Sequence, residues 1–288
     1  MLESLPEQDT KQGAAPTPPA LRRRRLRPLA ALPYLVLALA LTAALAPGLF
    51  TTYDPLAGNP AAALQAPSGA HLFGTDATGR DVFSRVVHGA IHSLSGALIA
   101  VAVGLVGGTA LGVLAGTIGG VVDDLIMRIV DVLLAIPGLL LSLSVIIVLG
   151  FGTTNAAIAV GLTSVAAFAR LARSEVLRVR QSEYVEAAFG SGGTLGSVMA
   201  RHVLPNSLTA VLALAALHFG LAILALATLG FLGYGAPPPT PEWGLMIAEG
   251  RNYIATAWWL TALPGLVVVA VVLATNRISV TLQRGQVG

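Results

Sequence analysis

The chain has 288 residues, of which 55% are hydrophobic and only 11% charged, with a formal net charge of +3; its mean hydropathy is +0.78. A soluble domain carries roughly 25% charged residues, so a water-soluble fold is excluded and the bilayer is the expected solvent. Cysteine is absent and lysine occurs once, at Lys11, which excludes disulfides, thiolate metal sites, cysteine nucleophiles and a phosphate loop ending in Gly-Lys-Ser/Thr.

Residues 1–28 are rich in proline, alanine and polar groups, the composition of a disordered cytosolic tail. Arg22, Arg23, Arg24, Arg25 and Arg27 precede an uncharged stretch from Leu29 to Phe50. A spanning helix needs about 20 apolar residues, because the hydrocarbon core is roughly 30 Å thick and each residue rises about 1.5 Å. The stretch exceeds the roughly 7–15 apolar residues of a secretion signal, so it predicts a retained first span. Thr51 to Gly89 follow as an extracellular segment ending in an amphipathic helix around Asp81 to His88. Residues 29–89 thus form one unit. In it Asp76, Arg80 and Asp81 fit a docking surface for another protein, or an internal ion pair or helix cap, equally well.

No residue between Gly89 and Val122 is charged, which predicts one span at about 91–118. Gly104, Gly108, Gly112, Gly116 and Gly120 recur every four residues and draw one stripe along a helix. In lipid, small residues let backbones approach closely, so the stripe predicts tight packing against another helix of this chain or of a partner. Val132 to Ala169 is again uncharged and too long for one helix. Gly150, Gly152, Thr153, Thr154 and Asn155 divide it into two spans joined by a tight turn. Asp131 and Arg170 stand at the inner ends of these spans.

Residues 173–206 form the longest internal cytosolic segment. Helix-forming sequence up to Ala188 gives way to Gly190-Ser191-Gly192-Gly193, and a second short helix from Leu195 to Val203 is expected to stop at Pro205. By itself this is a compact cytosolic knob or an amphipathic loop on the headgroups. A fifth span is expected at about 208–234, ended by Pro237, Pro238 and Pro239, and a sixth within 252–276. His218 is the titratable group near mid-membrane; it reads as a hydrogen-bonded packing residue. Trp243, Trp258 and Trp259 read as interfacial anchors.

Six spans place both termini on one side. With the N-terminus inside, the inner segments carry Lys11, Arg22, Arg23, Arg24, Arg25, Arg27, Arg128, Arg170, Arg173, Arg178, Arg180, Arg201, Arg277 and Arg284, against Arg80, Arg85 and Arg251 outside. This asymmetry predicts cytoplasmic N- and C-termini.

Glu186-Ala187-Ala188, then Gly192, then Leu204-Pro205 resembles the EAA motif of permease subunits in ATP-binding-cassette importers. The longer runs Glu183 to Ala188 and Arg201 to Asn206 are similar to the dipeptide/oligopeptide/nickel branch. So are His71 to Asp76 with Gly79-Arg80-Asp81 and Ser84-Arg85, Asp124 to Pro137, and Leu229 to Trp243. The likeness covers residues 29–275. Phe189 and the C-terminal stretch Arg277 to Gly288, which lacks an acidic ending, depart from the pattern.

The resemblance implies an all-α, polytopic membrane protein of six transmembrane helices with the type I importer (MetI-like) permease fold, its transmembrane domain spanning 90–284. It implies a coupling helix for a separate ATPase in loop 173–206, with Glu183, Tyr184, Glu186, Ala187, Ala188, Gly192, His202, Leu204 and Pro205 as the coupling residues. Implied partners are a second homologous permease, two ATP-binding subunits, an extracytoplasmic substrate-binding protein and membrane lipid, with no nucleic acid. No catalytic residue, metal or cofactor is implied. The chain would be half of a pore for dipeptides or oligopeptides in the bacterial plasma membrane. Nickel or another small solute is the alternative cargo. A proton-coupled secondary transporter is the alternative of another class, opposed by the lack of carboxylates within the spans.

Overall fold

The computed structural model describes the backbone of residues 31–285 and the side chains to Thr281. The predicted tail 1–28, with Lys11 and the five clustered arginines, and the Arg284 side chain lie outside the described residues. Helices and turns make up the fold, with no β-strand among the described residues.

Helix α1 runs Leu32–Leu45. It stops at Ala46, ahead of Pro47, because a residue before proline is disfavoured in the helical region; a 3-10 turn at Pro47–Leu49 follows. Helix α2 runs Val82–Ile118, 37 residues, or about 55 Å. The expected amphipathic helix at 81–88 and the span at 91–118 are therefore one element. Its start is fixed by Asp81, whose Oδ2 accepts the Ser84 N–H at 2.6 Å, and no proline interrupts it. Its first turns exceed what a bilayer core needs and carry the cap described below.

The predicted third span is corrected. It is two helices, α3 (Gly120–Ala135) and α4 (Gly138–Leu149), bent by 100° where they meet. Pro137 has no N–H and pushes Ile136 out of the helical region, to φ −87° and ψ 129°, so the ladder cannot pass through. Gly120 begins α3 with φ +56°. It thus leaves the glycine stripe, whose last member within α2 is Gly116.

Helix α5 (Thr153–Arg180) follows the turn at Gly150 and Gly152. Then come α6 (Glu183–Gly190), α7 (Leu195–Val198), a π-helical turn at Met199–Val203, and α8 (Leu204–Phe231). Helix α9 (Trp243–Gly250) and α10 (Trp259–Gly285) complete the order. Helix α8 ends at Phe231, before the three prolines, and α10 starts later than the predicted sixth span.

Among the described residues, four helices are long and apolar enough to cross a membrane: α2, α5, the continuous helix from Leu195 to Phe231, and α10. The bent α3–α4 pair makes a fifth if counted as one crossing, and α1 is a shorter apolar helix. The six crossings expected from the sequence are therefore not all reproduced: length and composition give four among the described residues, or five with the bent pair.

The most extensive helix pair is α2 with α5. They run parallel: Gly96 meets Thr153, Gly104 meets Ser164, and Gly116 meets Val176. Helix α8 runs antiparallel to both, α10 packs along α8, and α1 lies against α2 and α10. The core is built of small residues: Ala97, Ala100, Ala157, Ala159 and Ala166 are all buried, with Phe168 between them. Large apolar side chains such as Val106, Ile147 and Val148 point outward and are exposed. This inside-small, outside-large arrangement is the reverse of a soluble fold and suits a lipid surround.

Candidate coupling and translocation sites

At one end of the bundle α5 passes into α6. The expected continuous helix to Ala188 is corrected: it breaks at Gln181–Ser182. The Ser182 hydroxyl donates to Val179 O at 2.5 Å, and the residue turns extended to φ −80° and ψ 144°. Serine competes with the helix in this way when its side chain takes a backbone carbonyl. The Ser182 carbonyl then accepts the Val185 and Glu186 N–H groups and starts α6. Glu183 and Glu186 fall in its first turn, where the helix dipole favours negative charge.

One face of α6 is anchored. Val185 is fully buried in a cluster with Val176, Val179, Val198, Met199 and Val203, against which Ala188 packs. The opposite face leaves Glu183, Tyr184, Glu186 and Ala187 exposed. The two alanines of the motif therefore point differently: Ala187 to the surface, Ala188 toward the cluster. Gly192 turns the chain with φ +88°, a backbone conformation that side-chain-bearing residues avoid. Next to it the Gly193 N–H donates to Ala188 O at 3.1 Å.

Pro205 does not end the helix that precedes it. In an α-helix its ring would strike the carbonyl four residues back. Here Met199–Val203 widen into a π turn, with the Leu204 N–H bonded to Met199 O, so the chain runs from α7 into α8 without a stop. His202 is half-buried, and Leu204 and Pro205 open the first turn of α8.

Contacts that the sequence did not reveal hold this knob and α3 to the bundle. The Arg180 guanidinium donates to Gly116 O at 2.7 Å and Thr117 O at 3.0 Å, capping carbonyls that α2 leaves unpaired at its end. Arg173 meets both carboxylate oxygens of Asp123 at 2.5 Å, and Arg170 pairs with Asp131. Both pairs tie α3 to α5. In sequence these arginines read only as inner-side charge, because their partners lie 39 to 64 positions away.

The glycine stripe faces α5 of this same chain. A Cβ on Gly104 would stand 2.8 Å from Ser164 Cβ, on Gly108 2.5 Å from Phe168 Cβ, on Gly112 2.7 Å from Ala172 Cβ, and on Gly116 2.9 Å from Val176 Cγ1. Side chains there have no space, so the two backbones touch along the seam.

The opposite end carries a cap made of residues 46–81 and 232–258 around the first turns of α2. Arg85 is 1% exposed. It donates to Glu249 Oε2 at 3.1 Å, Pro239 O at 3.3 Å and Pro55 O at 3.4 Å. Arg80 pairs with Asp76 at 2.6 Å, and Asp81 caps α2 while accepting from His71 at 2.9 Å. Asp76, Arg80 and Asp81 therefore serve as ion pair and helix cap. Burial pushes the Asp76 carboxyl up, but the Arg80 and Thr78 N–H groups, the Thr78 hydroxyl and the Arg80 guanidinium outweigh it and hold the pKa below the usual value. Glu242 is the reverse case. Its carboxylate accepts the Gly244 and Leu245 N–H groups at 2.9 and 2.8 Å and the Ser93 hydroxyl at 3.3 Å, yet burial dominates and raises its pKa.

The tryptophans correct the expectation of three surface anchors. Trp243 is 1% exposed, its Nε1–H donating to Val86 O at 2.9 Å. Trp259 is buried, donating to Thr75 O at 3.3 Å. Only Trp258 of the three is exposed.

Midway along α8, His218 takes a packing contact: Nδ1 lies 3.3 Å from Ser164 Oγ and the ring 4.9 Å from that of Phe168. Its environment is a cavity of about 310 Å³ at the α3–α4 bend.

Residues 108–286 match the family model described as the binding-protein-dependent transport system inner membrane component. The chain belongs to this family. It is thus a permease subunit of an ATP-binding-cassette importer, a multi-pass inner-membrane transport component and not an enzyme, and its family works with ATPase and substrate-binding subunits. The permease is 40% identical over 275 residues to the dipeptide transport system permease protein DppC of Alkalihalophilus pseudofirmus, covering 96% of this chain and 90% of the relative. It is 45% identical over 210 residues to the glutathione transport system permease protein GsiD of Escherichia coli, covering 73% and 69%. A chain of the inward-facing MetNI methionine ABC transporter superposes with a TM-score of 0.55 at 20% identity, covering 69% of the permease and 97% of that chain. That likeness shows the fold.

Proposed function

We propose that this permease is half of a pore that imports dipeptides and oligopeptides, pairs with a second homologous permease, and is driven by two ATP-binding subunits seated on α6. The observation that carries the coupling assignment is the split of α6 into an anchored face, on Val185, and an exposed face of Glu183, Tyr184, Glu186 and Ala187. A helix held this way moves as a body with α5 and α8. Acidic groups on its free face match basic groups on a partner, and Ala187 allows close approach. Gly192 sets the turn, and His202, Leu204 and Pro205 set the direction in which the chain re-enters the bundle.

Closure of the ATPases around ATP draws the two α6 knobs together, and the α2–α5 seam carries that displacement into the membrane as a rigid-body shift. ATP supplies the differential free energy between the outward- and inward-facing states. The cap receives the substrate-binding protein outside the cell, and both termini are cytoplasmic. The substrate class rests on the dipeptide and glutathione relatives, which share amide-linked cargo.

The test is Glu186→Lys in the reconstituted complex. ATP hydrolysis stimulated by peptide-loaded binding protein is expected to fall about tenfold, since a charge-assisted contact is lost and replaced by repulsion. Full retention refutes the coupling assignment.

A further inference from the structure

We infer that His218 is a substrate contact in the translocation path, reaching the amide groups of a passing peptide through its Nε2. The inference rests on the peptide-import reading above.

His218 lies about 20 Å from either end of α8, midway along that apolar helix. The cavity of about 310 Å³ in front of it is bounded by Leu133 and Ile136 at the α3–α4 bend, by Thr163 and Ser164 of α5, and by Leu221 of α8. Two contacts fix the ring: Ser164 Oγ at Nδ1 and the tilted ring of Phe168. Among the described residues Nε2 has no hydrogen-bond partner. A histidine that only fills a core satisfies both nitrogens; this one lines the cavity with one nitrogen spent on orientation and the other unpaired.

The wall opposite adds polar groups of a second kind. A helix leaves its last carbonyls without intrahelical partners, and α3 ends at Ala135 beside Ile136 and Gly138, which line the same cavity. A broken helix at mid-membrane is tolerated where it borders a cavity, and such breaks supply backbone hydrogen-bonding groups to transported solutes. A short peptide alternates apolar side chains with amide N–H and C=O groups. Apolar walls of leucine and isoleucine, carbonyls on one side and an oriented imidazole on the other match that alternation.

The chain contains no cysteine, so His218→Cys places a single thiol in this subunit. The complex is reconstituted in proteoliposomes, and peptide uptake by the unmodified complex is measured first. Absence of that uptake overturns the peptide reading itself, and with it this inference. Given uptake, a small water-soluble methanethiosulfonate reagent is expected to modify the introduced thiol during turnover, read as a mass change of this subunit. Excess transported dipeptide is expected to slow the modification severalfold. On assembled complex, His218→Leu is expected to lower the maximal uptake rate about tenfold, the scale of one lost hydrogen bond. His218→Gln, which keeps a donor and an acceptor, is expected to recover most of it. A thiol that does not react, or reacts equally with and without peptide, overturns the contact while leaving the peptide reading intact; so does full uptake by His218→Leu.

Discussion

A single methylene is decisive along the α2–α5 seam. Gly112 sits where a Cβ would collide with Ala169 O and stand 2.7 Å from Ala172 Cβ, and neither neighbour is the end of a flexible chain. Gly112→Leu is therefore expected to cost at least about 3 kcal/mol by overpacking. It should appear as loss of folded permease and of assembled complex on size-exclusion chromatography; unchanged yield would refute the seam's role. Glu242 supports a prediction of another kind. Its pKa is raised in the folded state, so the folded protein binds this proton more tightly than the unfolded chain does. That stabilisation is complete below the ordinary carboxyl value and disappears as pH rises through the folded pKa. Glu242→Gln is expected to flatten the decline of thermal stability as pH rises above the ordinary carboxyl value, even though one N–H···O bond is lost at a cost of about 1 kcal/mol. Asp76 adds no slope there: its folded pKa is lowered, so its contribution is present above the ordinary value and lost only in more acidic solution. The motif residues Glu183 to Ala188 were legible from their order in the chain. Which alanine faces inward was not, because burial of Val185 depends on Val198 and Val203 from another helix.

At the scale of elements, periodicity predicted helices well and their ends poorly. The spans at α2, α5 and α8 follow from uncharged length alone. Ser182 breaks a helix that the sequence pattern continues, and Pro205 fails to stop one because a π turn absorbs its ring. In both cases a local bond chose between two backbone states of similar propensity, so side-chain type alone did not decide. Arg180 acts at this scale as the strap between α2 and the knob. Arg180→Ala is expected to accelerate amide exchange in residues 183–198 and to weaken coupling of ATP hydrolysis to uptake, while the α2–α5 seam stays protected. Unaltered exchange in that segment would show the strap to be dispensable.

For the whole molecule, sidedness is the property to be measured. Ala70 in the cap and Ala187 on α6 are both exposed and stand at opposite ends of the bundle. In the cysteine-free chain, an impermeant maleimide added outside intact cells is expected to modify Ala70→Cys and to reach Ala187→Cys only after permeabilisation; the opposite order would invert the proposed orientation. The sequence by itself determined the solvent, the helical class and the family, since few charges, long apolar runs and an ordered set of motifs are properties of the chain read in one dimension. Only the tertiary structure decided that the glycines meet α5, that Pro137 folds one predicted span into a 100° elbow, that Trp243 and Trp259 are interior, and that His218 borders a cavity. Each of these depends on which distant segment arrives at a given face, and packing between helices, where a fraction of an ångström separates contact from collision, settles that only once the chain is folded.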